Sequence, residues 1–396
     1  MIRWPQGGRT RLQRRLAKAA DIGDLRGLAR KRLPKPVFDY ADGGAGDETA
    51  RRRNTEALEA VEFLPRVLND VSAVDPSIEL FGRRQALPFI VCPVGLTRSM
   101  HPHGEIGAAR AAERAGIPYV LSTMASASPE QIAEHAPGVD RWFQLYLSQD
   151  HDHSLALVQR AAAAGFTTLV LTVDTPVGGE RLRDVRNGMT LPPSIAPGAV
   201  VKIATRPAWW WNAITRDPID FASLPKPAAT PGQRGKQFRT TRVFDSAATW
   251  DDLKWLRDNW SGRVLVKSVM RPDDAQRVVE LGADGVIVSN HGGRQVEQAT
   301  ATISALPAIR AALGPRPTVL LDSGIRTGAH AAAALALGAD GVGLGRAYVY
   351  GLAAGGEQGV DRAIGIVGDG LKRMMALLGA PTVADLTPDL VRNPPA

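Results

Sequence analysis

The sequence predicts an α/β fold, a (β/α)8 TIM barrel, and three observations carry that prediction. Short runs rich in Val, Ile and Leu recur eight times from about Leu87 onward. Ala-rich stretches of helical period separate them, the alternation expected of repeated βα units around a parallel sheet. The helix-to-strand junctions repeat as well, as in Arg114-Ala115-Gly116-Ile117 and Leu281-Gly282-Ala283-Asp284-Gly285, with Gly where a helix C-cap favours left-handed backbone.

In chain order, residues 1–86 begin with a strongly basic segment and continue into short helical stretches around Leu25–Arg32 and Val37–Ala41, read as an N-terminal helical cap on one end of the barrel. The strand runs are Leu87–Gly95, Ile117–Met124, Arg141–Leu147, Thr168–Pro176, Arg263–Val269, Gly285–Gly292, Thr318–Ile325 and Asp340–Ala347. Helical stretches between them include Gly104–Ala115, Ser154–Ala164, Thr249–Asn259, Pro272–Leu281 and Gly328–Leu337. The spacing breaks after the fourth run, where residues 180–246 carry many prolines, consecutive tryptophans at Trp209, Trp210 and Trp211, and scattered basic side chains. This long stretch reads as an insertion, a lid on the active-site face of a barrel spanning 87–380, with 381–396 as a C-terminal tail.

At 396 residues the chain is long for one ordinary domain, yet barrels of this kind run past about 250 residues as single units. Hydrophobic residues at 44% and charged residues at 22% give globular composition with ample material for a core. Cys92 is the single cysteine, so no intrachain disulfide can form, and no basic-then-apolar N-terminal stretch reads as a secretory signal. A cytoplasmic location is expected. No apolar run approaches the roughly 18 residues of a spanning helix. The net charge of +8 suits a nucleic acid, an anionic substrate, a phosphorylated cofactor or an acidic membrane surface alike, so particular residues must choose among them.

A closed barrel is packed inside with apolar side chains, so polar groups at the C-terminal strand ends are aimed at the mouth. Seven runs end in such groups: Ser122 and Thr123, Gln144 and Tyr146, Thr172 and Asp174, Lys267 and Ser268, Ser289 to His291, Asp322 and Ser323, and Gly345-Arg346. One polar strand end is ordinary turn chemistry; seven on one face would leave a purely structural barrel with polar groups lacking partners. In the last two units, Asp322-Ser323-Gly324-Ile325-Arg326 and Gly343-Leu344-Gly345-Arg346 form a phosphate-binding pattern. Glycines admit backbone N–H groups to an oxyanion, and Arg326 and Arg346 add charge-assisted bonds. Lys267, aimed into the same mouth, suits an electron-rich cofactor ring such as a reduced flavin. His291 stands between Asn290 and two glycines, with Arg294 three residues on. A group that titrates near neutrality beside a carboxylate-binding cation is the equipment for base chemistry on an anionic substrate.

These residues resemble the FMN-dependent 2-hydroxy-acid dehydrogenase and oxidase family, which includes glycolate oxidase, mandelate dehydrogenase, lactate oxidase and the respiratory L-lactate dehydrogenases. The resemblance runs through Phe38-Asp39-Tyr40, Phe143-Gln144-Leu145-Tyr146, Leu171-Thr172-Val173-Asp174, Ser289-Asn290-His291-Gly292-Gly293-Arg294-Gln295 and Asp322 to Arg346 in the family's order, covering nearly everything after about residue 20. It implies FMN as cofactor, oxidation of an L-2-hydroxy acid to the 2-oxo acid, no metal, and a homo-oligomer, typically a tetramer. It further implies that His291 removes a proton while Asp174 stabilises the imidazolium, that Arg181 and Arg294 clamp the substrate carboxylate, and that Tyr40 and Tyr146 hydrogen-bond the carboxylate or hydroxyl. For FMN it implies Ser122, Gln144 and Thr172 around the ring and Lys267 beside the pyrimidine portion, with Ser289 also in the cofactor site. Asp322, Gly324, Arg326, Gly345 and Arg346 would hold the ribityl and phosphate, and Pro93, Val94 and Gly95 would line the flavin face by backbone contact. Whether the proton leaves Cα or the hydroxyl stays open.

Gly95 stands where short-chain oxidases of the family resemble one another in carrying alanine, and Met124 where glycolate oxidase has tryptophan, so a roomy site is expected that allows a large or aromatic 2-hydroxy acid and also lactate. Family members pass electrons to oxygen, a haem domain or a membrane quinone. Residues 1–86 are too short for a haem domain and contain no histidine, which leaves quinone or oxygen. Trp209 to Trp211, flanked by Arg206 and Arg216, resemble an interfacial anchor, giving peripheral contact with the inner face of the cell membrane through 206–216; the same tryptophans would serve equally as a lid packed on the barrel. Two rivals are a barrel that merely binds a phosphorylated ligand or nucleic acid and an FMN-dependent isomerase such as the isopentenyl isomerases. Neither gives a reason for His291, Arg294, Arg181, Tyr40 and Tyr146 together, and no nucleic-acid partner is expected.

Overall fold

Each apolar run nucleates one strand of a closed parallel barrel. The computed structural model describes residues 10–188, 206, 209, 211, 221–223 and 245–392; most of the insertion, with Trp210 and Arg216, and residues 393–396 lie outside the described residues. A short antiparallel hairpin comes first, β1 (Ile78–Leu80) and β2 (Arg83–Gln85). The barrel strands follow as β3 (Phe89–Val91), β4 (Tyr119–Ser122), β5 (Arg141–Leu145), β6 (Thr168–Thr172), β7 (Arg263–Lys267), β8 (Gly285–Val288), β9 (Thr318–Leu321) and β10 (Gly341–Leu344). They close in the order β10-β3-β4-β5-β6-β7-β8-β9, all pairs parallel.

The two-residue period of a strand explains why this sequence builds a packed interior with a polar mouth. Ile90, Val120, Trp142, Val170, Leu265, Ile287 and Leu320, one from each of seven strands, form an apolar layer inside the barrel, closed from below by Leu80 of the hairpin. Two positions further along each strand stand Cys92, Ser122, Gln144, Thr172, Lys267, Ser289 and Asp322, all buried. The intervening residues, among them Leu121, Phe143, Leu171, Val266, Val288 and Leu321, face outward into the core shared with the helices.

The helices obey local capping rules. Asp150 accepts from the N–H groups of Asp152 and His153 and starts the helix His151–Ala163, while Gly116 at φ 62° ends Gly104–Ala115. Residues 10–86 reach both ends of the barrel. The helices Ile22–Arg32, Lys35–Asp42 and Thr49–Glu59 pack beside the last βα units and the mouth, and the hairpin sits at the opposite end. Past the long helix Glu357–Leu378, the chain returns to pair Val391 with Phe63 and Thr382 with Asp75.

Candidate active site

The polar layer is the floor of a cleft at the C-terminal mouth. Tyr40, Pro93, Val94, Gly95, Ser122, Tyr146, Thr172, Arg181, Lys267, His291, Arg294, Asp322, Gly324, Arg326, Gly345 and Arg346 all line it. Gln144, Asp174 and Ser289 stand one bond behind: Ser122 Oγ donates to Gln144 Oε1 at 3.0 Å, Lys267 Nζ donates to Ser289 Oγ at 2.7 Å, and Asp174 holds His291. Register brings these partners together, since Ser122 pairs with Gln144 across β4 and β5, and Thr172 with Lys267 across β6 and β7.

His291 sits just past β8 in left-handed backbone, φ 57°. Its Nδ1 meets Asp174 Oδ1 at 3.0 Å, so Nδ1–H donates to the carboxylate and Nε2 is the nitrogen left to meet a ligand. Burial would raise the Asp174 carboxyl, but the neighbouring His291 and Lys267 more than offset it and hold the group below the usual carboxylate range. Space requires the second glycine after His291, since a Cβ on Gly293 would stand 2.4 Å from the backbone N of Arg51, and left-handed backbone, φ 66°, favours the first, Gly292, which lies against Arg346 Nη1. The turn is thereby pressed against both the last barrel unit and the helix Thr49–Glu59.

Lys267 is buried, which alone would favour loss of its proton, yet Asp322 Oδ2 at 3.2 Å and the charge of Asp174 raise it instead, so it remains an ammonium. Arg294 Nη1 donates to the carbonyls of Tyr40 and Gly43 at 2.7 and 3.0 Å, and the guanidinium groups of Arg294 and Arg181 lie 5.1 and 5.9 Å from the Tyr40 ring centroid. Burial, reinforced by Arg181, pushes Arg294 down. Burial likewise pushes Arg326 down and Arg346 down to about 9. Arg346 spends one N–H each on the carbonyls of Ala41, Gly292 and Gly43. Among the described residues no carboxylate stands within ion-pair distance of Arg294, Arg326 or Arg346. Burial also raises the Tyr146 hydroxyl, keeping it a hydrogen-bond donor.

The sequence model of the FMN-dependent dehydrogenases matches residues 29–393. The chain belongs to the FMN-dependent 2-hydroxy-acid dehydrogenase family. It is 44% identical over 365 residues, 92% of this chain and 95% of the other, to an L-lactate dehydrogenase of Caulobacter vibrioides. A crystal structure of the monotopic membrane protein (S)-mandelate dehydrogenase superposes with a TM-score of 0.90 at 38% identity, covering 95% of this chain and all of that one. A mandelate oxidase structure gives 0.79 at 36% identity over 94% of this chain and 98% of that one. FMN is the cofactor of this family.

The cleft of this family member fits FMN on its own terms. Gln144 Nε2 and Thr172 Oγ1 are buried without a partner, and such atoms call for a polar ligand edge. Arg326 and Arg346, desolvated and lacking a carboxylate, call for an anion at the end formed by β9 and β10. Two residues of the site were not assigned from sequence. Cys92 completes the polar layer, 3.6 Å from Asp322 Oδ2, and a period-two count along β3 would have found it. Asn54, on the helix Thr49–Glu59, forms a reciprocal amide pair with Asn290, both bonds 2.8 Å; a buried asparagine on a charged helix gives no local signal.

Among the described part of the insertion, Trp209 packs against the core and its Nε1 donates to Ser99 O at 2.8 Å, whereas Trp211 is 72% exposed. Arg206 Nε donates to Leu33 O at 3.3 Å. No helix among the described residues is long and apolar enough to cross a membrane.

Proposed function

We propose that this chain oxidises an L-2-hydroxy acid of the lactate or mandelate type to its 2-oxo acid, with electrons leaving to a quinone or to oxygen. The observation that carries the reading is the set of half-buried arginines without a carboxylate in ion-pair reach, Arg294 beside His291 and Arg326 with Arg346 at the far end. Partial desolvation of such charges is unfavourable unless an anion arrives to pair with them. The first meets a substrate carboxylate and the second pair a cofactor phosphate.

In this reading Arg181 and Arg294 grip the substrate carboxylate, with Tyr40 and Tyr146 bonding its oxygens, and so present the alcohol carbon to the layer formed by Ser122, Gln144, Thr172 and Lys267. His291 Nε2 takes the proton released as the alcohol becomes a ketone, and Asp174 stabilises the resulting imidazolium through Nδ1. FMN, when bound, accepts the two electrons. Lys267, fixed as a cation, offsets the negative charge arriving at that face, and Asp322, Gly324, Arg326, Gly345 and Arg346 hold the ribityl and phosphate, with Ser289 supporting Lys267. Pro93, Val94 and Gly95 present backbone; a Cβ on Gly95 would stand 2.8 Å from Met124 O, so the backbone approach there is close.

Anaerobic bleaching of the flavin by L-lactate, L-mandelate, glycolate and longer acids tests the reaction and ranks substrates; reoxidation by oxygen against a quinone identifies the acceptor. A yellow protein that no L-2-hydroxy acid bleaches overturns the proposal. For the acceptor we favour a quinone at a membrane surface, on the exposure of Trp211 beside a basic insertion. Co-sedimentation with anionic liposomes, lost on deletion of residues 207–214, is the expected outcome; binding unchanged by that deletion removes the membrane contact.

A further inference from the structure

Three residues that are not glycine take left-handed backbone at consecutive strand ends of the mouth: Ser268 at φ 80°, His291 at φ 57° and Ser323 at φ 75°. An L-residue held there costs about 1–2 kcal/mol relative to its ordinary conformation, a cost glycine escapes. At Ser323 the hydroxyl accounts for the serine. Its Oγ donates to Asp322 Oδ1 at 2.7 Å and accepts the N–H of Gly292 at 2.9 Å and of Asn290 at 3.4 Å. Those two N–H groups belong to the residues on either side of His291.

The connection continues in a ring. Asp322 Oδ2 faces Lys267 Nζ at 3.2 Å, Lys267 donates to Ser289 Oγ at 2.7 Å, and the same Oγ accepts the N–H of His291 at 3.1 Å. Two hydroxyls thus tie the strained turn to the Lys267–Asp322 pair from opposite sides. We infer that Ser323 is a positioning residue for the proton transfer: its hydroxyl sets the register of the His291 turn against the Lys267–Asp322 pair on which the cofactor rests. This rests on the reading of His291 as the base. A misplacement of about 1 Å in such a turn costs about a hundredfold in rate, so the tie is worth a strained residue.

Ser323→Ala and Ser323→Gly, as FMN-loaded holoenzymes, separate the roles. Both remove the hydroxyl, but only the glycine variant also relieves the backbone. The expected result for Ser323→Gly is a melting temperature at or above that of Ser323→Ala together with flavin reduction slowed about tenfold to a hundredfold at saturating substrate. Half-saturation by substrate stays unchanged, FMN content stays full by its visible spectrum, and the acid limb of the pH–rate profile is displaced as the His291–Asp174 bond loosens. A purely structural serine would move neither the pH profile nor the saturated rate. Reduction by Ser323→Gly within about twofold of the parent with the parent's pH profile overturns the inference, as does a loss of rate explained wholly by lost FMN. His291→Asn, measured alongside, separates the two readings: parental reduction by that variant overturns the base assignment, whereas parental reduction by Ser323→Gly alone overturns only the role of Ser323.

Discussion

The two ends of the barrel are built from the same strands, one side-chain layer apart, and are packed by opposite rules. At the end closed by the hairpin, Trp142 is fully buried with only its Nε1 lacking a partner, Phe81 covers it with ring centroids 5.8 Å apart, and the rim charges are neutralised in pairs, Arg83 with Asp140 at 2.8 Å and Arg263 with Asp284 at 3.0 Å. At the mouth, Gln144 Nε2, Thr172 Oγ1 and Asp174 Oδ2 have no partner, three half-buried arginines have no carboxylate in ion-pair reach, and Ser268, His291 and Ser323 sit in left-handed backbone. Stability is supplied at one end and spent at the other. A fold that separates the two by a single period of a strand can change its chemistry without reworking its core.

Substitutions at the two ends break the comparison in opposite directions. His291→Ala is expected to slow anaerobic flavin reduction by about 10²–10⁴-fold while FMN is retained and stability falls by no more than about 2 kcal/mol. Stopped-flow bleaching and chemical unfolding on one preparation check both halves. Trp142→Ala should do the reverse. Emptying that fully buried site costs about 3–5 kcal/mol of unfolding free energy, with the rate per FMN-loaded molecule within about twofold of the parent. If the tryptophan variant loses rate in the surviving folded fraction, the ends are coupled and the division of labour fails.

The half-buried arginines sharpen the same contrast through pH. Burial pushes Arg346 down to about 9 without a ligand, while the unfolded chain holds that proton to the ordinary arginine range. Above about pH 9 the unfolded state therefore binds more protons at this group, which contributes a rise in stability of up to about 1.4 kcal/mol per pH unit, while the Cys92 thiol, raised by burial, contributes with the opposite sign whether or not a ligand is bound. A cofactor phosphate that pairs with the guanidinium flattens this rise, and saturating FMN adds about 4 kcal/mol at a thousandfold excess over its Kd. Unfolding midpoints from pH 7.5 to 10, with and without FMN, test the idea; equal pH slopes in the two series reject it.

What was legible in the sequence follows from these packing rules. The barrel strands were readable because Val, Ile and Leu runs on a parallel sheet are buried on both faces, and the mouth because Ser122, Gln144, Thr172, Lys267, Ser289 and Asp322 interrupt those runs at one level. The helix Gly104–Ala115 was legible to the residue through its glycine cap, whereas His151–Ala163 starts ahead of the expected Ser154 because Asp150 caps it. Three kinds of element escaped. The hairpin strands are three residues each, too short for alternation to show. Arg346–Gly355 is buried almost throughout, so no polar face gives it a helical period. Thr49–Glu59 is charged, with Ala50, Asn54 and Leu58 alone buried, so its stripe is too thin to see. The roles assigned to Arg326 and Arg346 came from a phosphate pattern, but that Arg346 also joins Ala41, Gly43 and Gly292 needs three dimensions, since these carbonyls lie far apart in the chain.

Asn54 gives the smallest and most local test, because it stands at the seam between the cap and the mouth. Its amide exchanges two bonds with Asn290 and accepts the N–H of Thr302 at 3.3 Å. In Asn54→Ala, Asn290 keeps two of its contacts, with Thr300 O at 3.0 Å and the N–H of Gly293 at 3.1 Å, so the loss sits at the lower end for a buried amide, about 1 kcal/mol. The functional effect should fall on binding and not on the chemical step. Gly293 lies between Asn290 and Arg294, and loosening it displaces the arginine proposed to meet the substrate carboxylate before it displaces His291, which Ser289 and Asp174 still hold. KM is expected to rise by about threefold to tenfold with kcat nearly unchanged. A fall in kcat at constant KM would instead place Asn54 with Ser323 among the groups that position the base, and would extend the strained, function-directed half of the molecule into the cap.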